Sequence, residues 1–216
     1  MKGRFVALAP LQVRIHAAPL YEMTCGPENV HLWTYMSDGP FTDFAQFQLH
    51  LQKKAASEDP LFFAIIDLAD GKAKGYASYL RIEPVHRCIE VGHIVYSSAL
   101  QRTVAATEAM YLMARYVFEE LGYRRYEWKC NALNEASRRA ARRLGFQFEG
   151  IFRQHMIVKG RNRDTAWFSM LDCEWPERKR NLEEWLSPAN FDESWRQRIS
   201  LSSLNAVASS SRTPQP

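Results

Sequence analysis

Alternation of apolar and polar positions is clearest between Cys88 and Tyr96. There Ile89, Val91, His93 and Val95 fall on one face of an extended chain and Glu90, Gly92, Ile94 and Tyr96 on the other, which predicts a β-strand. Strict alternation puts Glu90 and His93 on opposite faces. Residues 61–68 are apolar and bounded by Asp59-Pro60 and Asp70-Gly71, the mark of another strand, and Asp70-Gly71 predicts a hairpin into a strand over 75–82. Residues 11–15 also alternate and read as a short strand. Further strands are expected over 126–130, 146–158 and 165–171, the last two joined by a turn through 160–164.

Helical spacing takes over elsewhere. A short helix is expected over 29–36, then the turn Ser37-Asp38-Gly39-Pro40, then a helix over 42–57 on which Phe44, Ala45 and Leu49 recur. Met110, Met113, Ala114, Val117 and Leu121 form the apolar stripe of a helix that ends at Gly122. A shorter helix over 134–144 closes at Gly145, with Ala136, Ala140 and Leu144 turned inward. Strands and helices in this order predict an α/β (α+β) fold with a mixed central sheet and flanking helices. The division expected is an N-terminal segment (1–10), one domain (11–172), a charged helical extension (173–201) docked by Leu182, Trp185, Leu186, Phe191 and Trp195, and a disordered tail (202–216).

Composition narrows the class. The 216 residues suit one domain, and 46% hydrophobic with 24% charged residues excludes a disordered chain, a collagen and a coiled-coil rod. No apolar run approaches the roughly 20 residues of a membrane span, and Phe5 to Pro10 is too short for a signal-peptide core. The expectation is a cytoplasmic protein without a membrane partner. Cys25, Cys88, Cys130 and Cys173 form no C-x-x-C pair and the six histidines lack ligand spacing, so neither a disulfide framework nor a metal site is expected. The net charge of +4 suits an anionic ligand.

The segment Gln101-Arg102-Thr103-Val104-Ala105-Ala106-Thr107 leads from a strand into a helix. Such a junction offers free amides and a positive dipole end, with Thr103 and Thr107 adding hydroxyls, and can hold a phosphate; an ordinary capped helix start is the alternative. With Glu90-Val91-Gly92-His93, Asn134-Glu135-Ala136-Ser137 and Leu144-Gly145-Phe146, this segment occurs in the order and spacing of the GCN5-related N-acetyltransferase (GNAT) superfamily. The chain most resembles its RimJ/RimL-like branch, best from Gly75 to Asp172 and weakly back to Leu11.

The resemblance implies a GNAT fold whose two central strands, 88–96 and 126–130, splay apart so that the pantetheine arm of acetyl-CoA pairs with freed backbone groups. Val95 and Tyr96 supply those groups. Gln101, Arg102, Thr103, Val104, Ala105, Ala106 and Thr107 surround the pyrophosphate, and Asn134 and Ser137 meet the acetyl end. Val104 stands where the family usually has a glycine, so this position must keep negative φ and turn its side chain away from the ligand. Ala141 stands where many members carry a proton-donating tyrosine. The hydroxyl matching the RimL-like branch is Ser137, the candidate proton donor to the departing thiolate, although Asn134-x-x-Ser137 also reads as a plain helix cap. Glu90 is the leading base and His93 the second, with a salt bridge or simple packing as the other reading of each. Trp33, Tyr35 and Phe41 would wall the acceptor pocket.

Seven basic residues against two acidic ones between Arg124 and Arg143 fit either CoA phosphates or a solvated face. The activity implied is acetyl transfer to a primary amine, a protein N-terminus or a small molecule, by direct attack in a ternary complex, in a monomer or homodimer and with no metal. The alternatives are an acyl-CoA-binding protein with little turnover and an RNA-associated basic module. The second is disfavoured because the basic patch lacks interleaved aromatics.

Overall fold

The computed structural model describes residues 1–209. Seven strands form one sheet in the order β1-β2-β3-β4-β5-β7-β6. They are β1 Val6–Pro10, β2 Leu61–Asp67, β3 Ala73–Glu83, β4 Cys88–Tyr96, β5 Arg125–Asn131, β6 Gln147–Val158 and β7 Arg161–Leu171. Only β4 and β5 run parallel; every other neighbouring pair is antiparallel. Helices α1 (Val13–Thr24) and α2 (Phe44–Ala55) cover one face. Helices α3 (Val104–Arg115), α4 (Glu135–Arg143), α5 (Trp175–Leu186) and α6 (Leu201–Ser209) cover the other. The sheet thus separates two apolar cores. One holds Leu20, Trp33, Phe47, Leu51 and Tyr76; the other holds Val91, Met113, Tyr126, Phe168 and Trp185.

The N-terminal reading needs correction. The strand lies at Val6–Pro10, pairing with β2 from Val6↔Asp67 to Pro10↔Phe63, so the first ten residues belong to the sheet. Residues 11–15 instead run into α1: Leu11 is buried but Ile15 is 59% exposed, so the alternating positions share no face. Five residues are too few to tell a strand from a first helical turn. Residues 27–33 form a 3-10 helix rather than a longer helix to 36. The β6–β7 turn is also tighter than expected. Lys159 (φ +51) and Gly160 (φ +72) form a two-residue hairpin turn, and residues 161–164 belong to β7.

The end of the chain differs too. Residues 202–209, expected to be disordered, are helical in α6. Leu201 is fully buried, and Asn205 donates to the Arg143 carbonyl (2.9 Å) while its Oδ1 accepts from Asn181 (3.0 Å) and Arg178 (3.3 Å). A polar segment gains order from these tertiary partners. The remainder of the expected tail, 210–216, lies outside the described residues.

Candidate active site

The site begins where two strands part. β4 and β5 pair from Cys88↔Arg125 to Val91↔Trp128, and beyond that the two strands have no further partners in each other. A cleft of about 1990 Å³ passes through this gap. Backbone groups along a parted strand pair call for a partner, because buried amides and carbonyls are rarely left unpaired.

β4 also carries a bulge. Between Tyr76↔Val95 and Ser78↔Gly92, Ala77 of β3 stands opposite both His93 and Ile94. His93 has a left-handed backbone, φ +48. The extra residue inverts side-chain parity: Ile89 and Val91 enter the core beneath α3, whereas Val95 enters the core beneath α1 and α2. Glu90 and His93 therefore lie on the same face, correcting the expectation from strict alternation.

On the α3 side, Thr103 caps the helix: its Oγ1 accepts from the Ala106 amide (3.1 Å) and donates to the Leu100 carbonyl (2.7 Å). The left-handed residue of this loop is Arg102 (φ +61), not Val104, which opens the helix proper and leans on the core beneath α3. The negative φ expected of a valine at this position is present, and Val104 also lines the cleft. The amides of Val104 and Ala105, in the first helical turn, have no intrahelical acceptor. The Tyr96 hydroxyl donates to the Ala106 carbonyl (3.3 Å) and Gln101 Nε2 to the Tyr96 carbonyl (3.1 Å), tying loop to strand. Buried Thr107 accepts from Arg143 (3.0 Å).

At the mouth of the gap lies the N-terminus of α4. Asn134 Oδ1 accepts from the Ser137 amide (3.1 Å), the cap that its sequence context allows. Trp128 Nε1 donates to Ser137 Oγ (2.9 Å). An indole N–H can only donate, so it occupies a lone pair of the hydroxyl and leaves the O–H free to donate elsewhere. Cys130 lines the cleft nearby, its thiol pKa raised by burial. The inward positions of α4 are Ala141 and Leu144, not Ala136, which is exposed. Its arginines are not a uniform solvated face. Arg138 pairs with Glu135, Arg142 lies over Phe148 and Phe168, and Arg143 lies 4.7 Å above Trp185; Arg139 lines the cleft.

On the opposite face, Glu90 is buried and its Oε2 meets both Arg81 and Lys129, the latter at 3.0 Å. Lys129 also pairs with Glu127 (2.6 Å), and Arg125 with Glu127 (2.6 Å) and Glu149 (2.5 Å). His93 Nδ1 lies 3.0 Å from Ser78 Oγ. Burial, reinforced by Lys54, lowers its pKa to about 4, so its imidazole is neutral at pH 7. Of the three aromatics expected to wall the acceptor pocket, only Tyr35 lines the cleft, with its hydroxyl donating to the Leu133 carbonyl (3.0 Å). Trp33 is fully buried and donates to the Thr24 carbonyl (2.7 Å), and Phe41 packs on Trp33 and His50. Both serve the core beneath α1 and α2.

Sequence reasoning did not single out Arg81, Lys129 and Arg163, which line the cleft near Glu90, or Trp195 and Arg196, through which the C-terminal extension reaches the cleft. Lys129 carried one signal, as a charge inside the expected strand 126–130, whereas Arg163 carried none, because it fell in the expected turn 160–164 and only the structure places it in β7.

The family model described as "Acetyltransferase (GNAT) domain" matches residues 6–147. The chain belongs to the GNAT acetyltransferase family. Its structure superposes with TM-score 0.93 on a GCN5-related N-acetyltransferase from Brucella melitensis, 47% identical, over 95% of this chain and 93% of that one. A Chromobacterium violaceum protein described as "probable acetyltransferases (GNAT family)" gives TM-score 0.76 at 43% identity, over 81% of this chain and 87% of that one. The Bacillus subtilis protein named "Putative ribosomal N-acetyltransferase YdaF" is 31% identical over 112 residues, 52% of this chain and 61% of that protein. For this acetyltransferase the mixed sheet with one parallel pair is the family's fold. Among the described residues no His, Cys, Asp or Glu cluster could hold a metal, and no helix is long and apolar enough to cross a membrane.

Proposed function

We propose that this acetyltransferase binds acetyl-CoA and a primary amine, a protein N-terminus or a small molecule, in one ternary complex, with the amine attacking the thioester directly. The observation that carries the reading is the parting of β4 from β5 after Val91, with the free amides of the α3 N-terminus on one face and Ser137 at the mouth. Thr103 to Thr107 hold the pyrophosphate, the parted strands pair with the pantetheine arm, and Asn134 Nδ2 faces its acetyl end. Ser137, its lone pair occupied by Trp128, donates its hydroxyl proton to the thiolate that leaves as the amine nitrogen displaces sulfur at the acetyl carbon. His93 is the group free to take the proton that the nitrogen sheds, since Oε2 of Glu90 is committed to two cations. Holding both reactants in place supplies much of the remaining rate.

An acyl-CoA-binding protein with little turnover is the second reading. It is favoured by the full burial of Ala141, from which no hydroxyl enters the cleft.

One set of measurements separates these readings. Acetyl-CoA at 100 times its Kd stabilises the protein by about 2.7 kcal/mol in thermal unfolding, and thiol release depends on an added amine. Ser137→Ala lowers kcat by about 10²-fold or more with the acetyl-CoA stabilisation intact. Absence of stabilisation and of binding heat refutes acetyl-CoA binding; stabilisation without thiol release from any amine leaves the binding-only reading; unchanged kcat in Ser137→Ala removes the acid role.

A further inference from the structure

The acceptor end of the cleft has an unusual charge balance. Arg81, Lys129 and Arg163 line it with one carboxylate, Glu90, and through Lys129 the network runs on outside the cleft to Glu127, Arg125 and Glu149, four cations to three carboxylates in all. The ion pairs use all three carboxylates and leave one cation over. Arg163 has no salt bridge among the described residues, and its Nε is buried with no hydrogen-bond partner. It lines the cleft near Glu90, Arg81 and Cys130, beside the parted strands. It stands within β7 opposite Met156, which also lines the cleft, and not in a turn. The hairpin that carries it is itself cationic: residues 153–164 hold Arg153, Lys159, Arg161 and Arg163 against the single carboxylate of Asp164. Lys159 ties the hairpin to the facing loop through the Trp33 carbonyl (3.0 Å).

A buried guanidinium N–H such as the Nε–H of half-buried Arg163 is costly to leave without an acceptor, and a planar fork of donors matches a carboxylate. We infer that the acceptor is a primary amine that itself carries a carboxylate, and that Arg163 binds this carboxylate while the amine points through the strand gap. The inference rests on the acetyl-transfer reading above and names its substrate class. A polyamine is the opposite case: its distal ammonium groups would meet Arg81, Lys129 and Arg163, with no uncommitted carboxylate in this network to pair with them. The carboxylate can belong to a free amino acid or to an acidic residue beside a peptide N-terminus.

The test compares an amino acid, its amide, a peptide with acidic residues next to its free N-terminus, the same peptide with those residues amidated, and spermidine. Each is titrated into the CoA-bound protein by calorimetry and assayed for thiol release with acetyl-CoA. The expected result is binding at least tenfold tighter for one carboxylate form than for its amide, with the amino acid and peptide arms identifying the source. Arg163→Gln brings the two forms within twofold, and Arg163→Lys restores part of the preference. Equal binding of acid and amide, tighter binding of spermidine, or a preference that survives Arg163→Gln overturns the proposal. Calorimetry does not need turnover, so a protein that binds acetyl-CoA yet never releases thiol refutes the transfer reading while still deciding the role of Arg163.

Discussion

His93 owes its position to one backbone event. Its left-handed φ of +48 marks the extra residue of the β4 bulge, and that residue carries the imidazole to the face that holds Glu90. Non-glycine residues in this region cost about 1 kcal/mol or more and gather at functional sites. Burial lowers the pKa of His93 and of His50 to about 4 each, in both with the help of Lys54. The sign follows from linkage. Between about pH 6.5 and 4 the unfolded imidazoles are protonated and the folded ones are not, so the unfolded state binds more protons. Stability is full above pH 6.5 and falls as pH drops toward 4, by up to about 3 kcal/mol per histidine before screening. Thermal unfolding between pH 4 and 7.5 should show this slope, and His93→Gln should flatten it; an unchanged slope would remove His93 as a contributor. The aromatics teach the same lesson at this scale. Trp33, Tyr35 and Phe41 were legible as a cluster, but which ring meets the cleft depends on the path of the chain after Trp33, and only Tyr35 does.

Elements with strong periodicity were legible nearly to their ends. β4 runs from Cys88 to Tyr96 as its alternation foretold, and α3 carries the expected stripe through Met110 and Met113. α4 was placed correctly and Leu144 is buried as expected, but Ala136 is exposed and Ala140 only partly buried, while the fully buried alanine is Ala141. Alanine buries so little surface that its position says little about which way a helix faces. The candidate phosphate loop is decided at this scale too. Because Arg102 takes the left-handed turn, Val104 needs no glycine-like freedom. Val104→Gly is therefore expected to lower stability by about 0.5–1 kcal/mol and to leave acetyl-CoA affinity within twofold, measured by calorimetry. A large gain in affinity would show that the valine obstructs the ligand.

The C-terminal extension belongs to the working molecule. α5 and α6 pack against α3 and α4, and Trp195 and Arg196 reach the cleft. Asn205 links α6 to the last turn of α4 and to Arg178 of α5. Asn205→Ala leaves buried partners unpaired and should cost about 1–3 kcal/mol in chemical unfolding, with no loss if α6 is not seated there. By itself the sequence determined the class of fold, the central strand and following helix, the candidate phosphate loop and the Asn134–Ser137 pair, because each rests on local periodicity or short motifs. Only the tertiary structure decided which side chains share a cavity. The bulge that unites Glu90 with His93, the ordering of α6 and the place of Arg163 at the cleft without an ion pair of its own among the described residues all arise from partners distant in the chain, and nothing in a local pattern encodes how those partners meet.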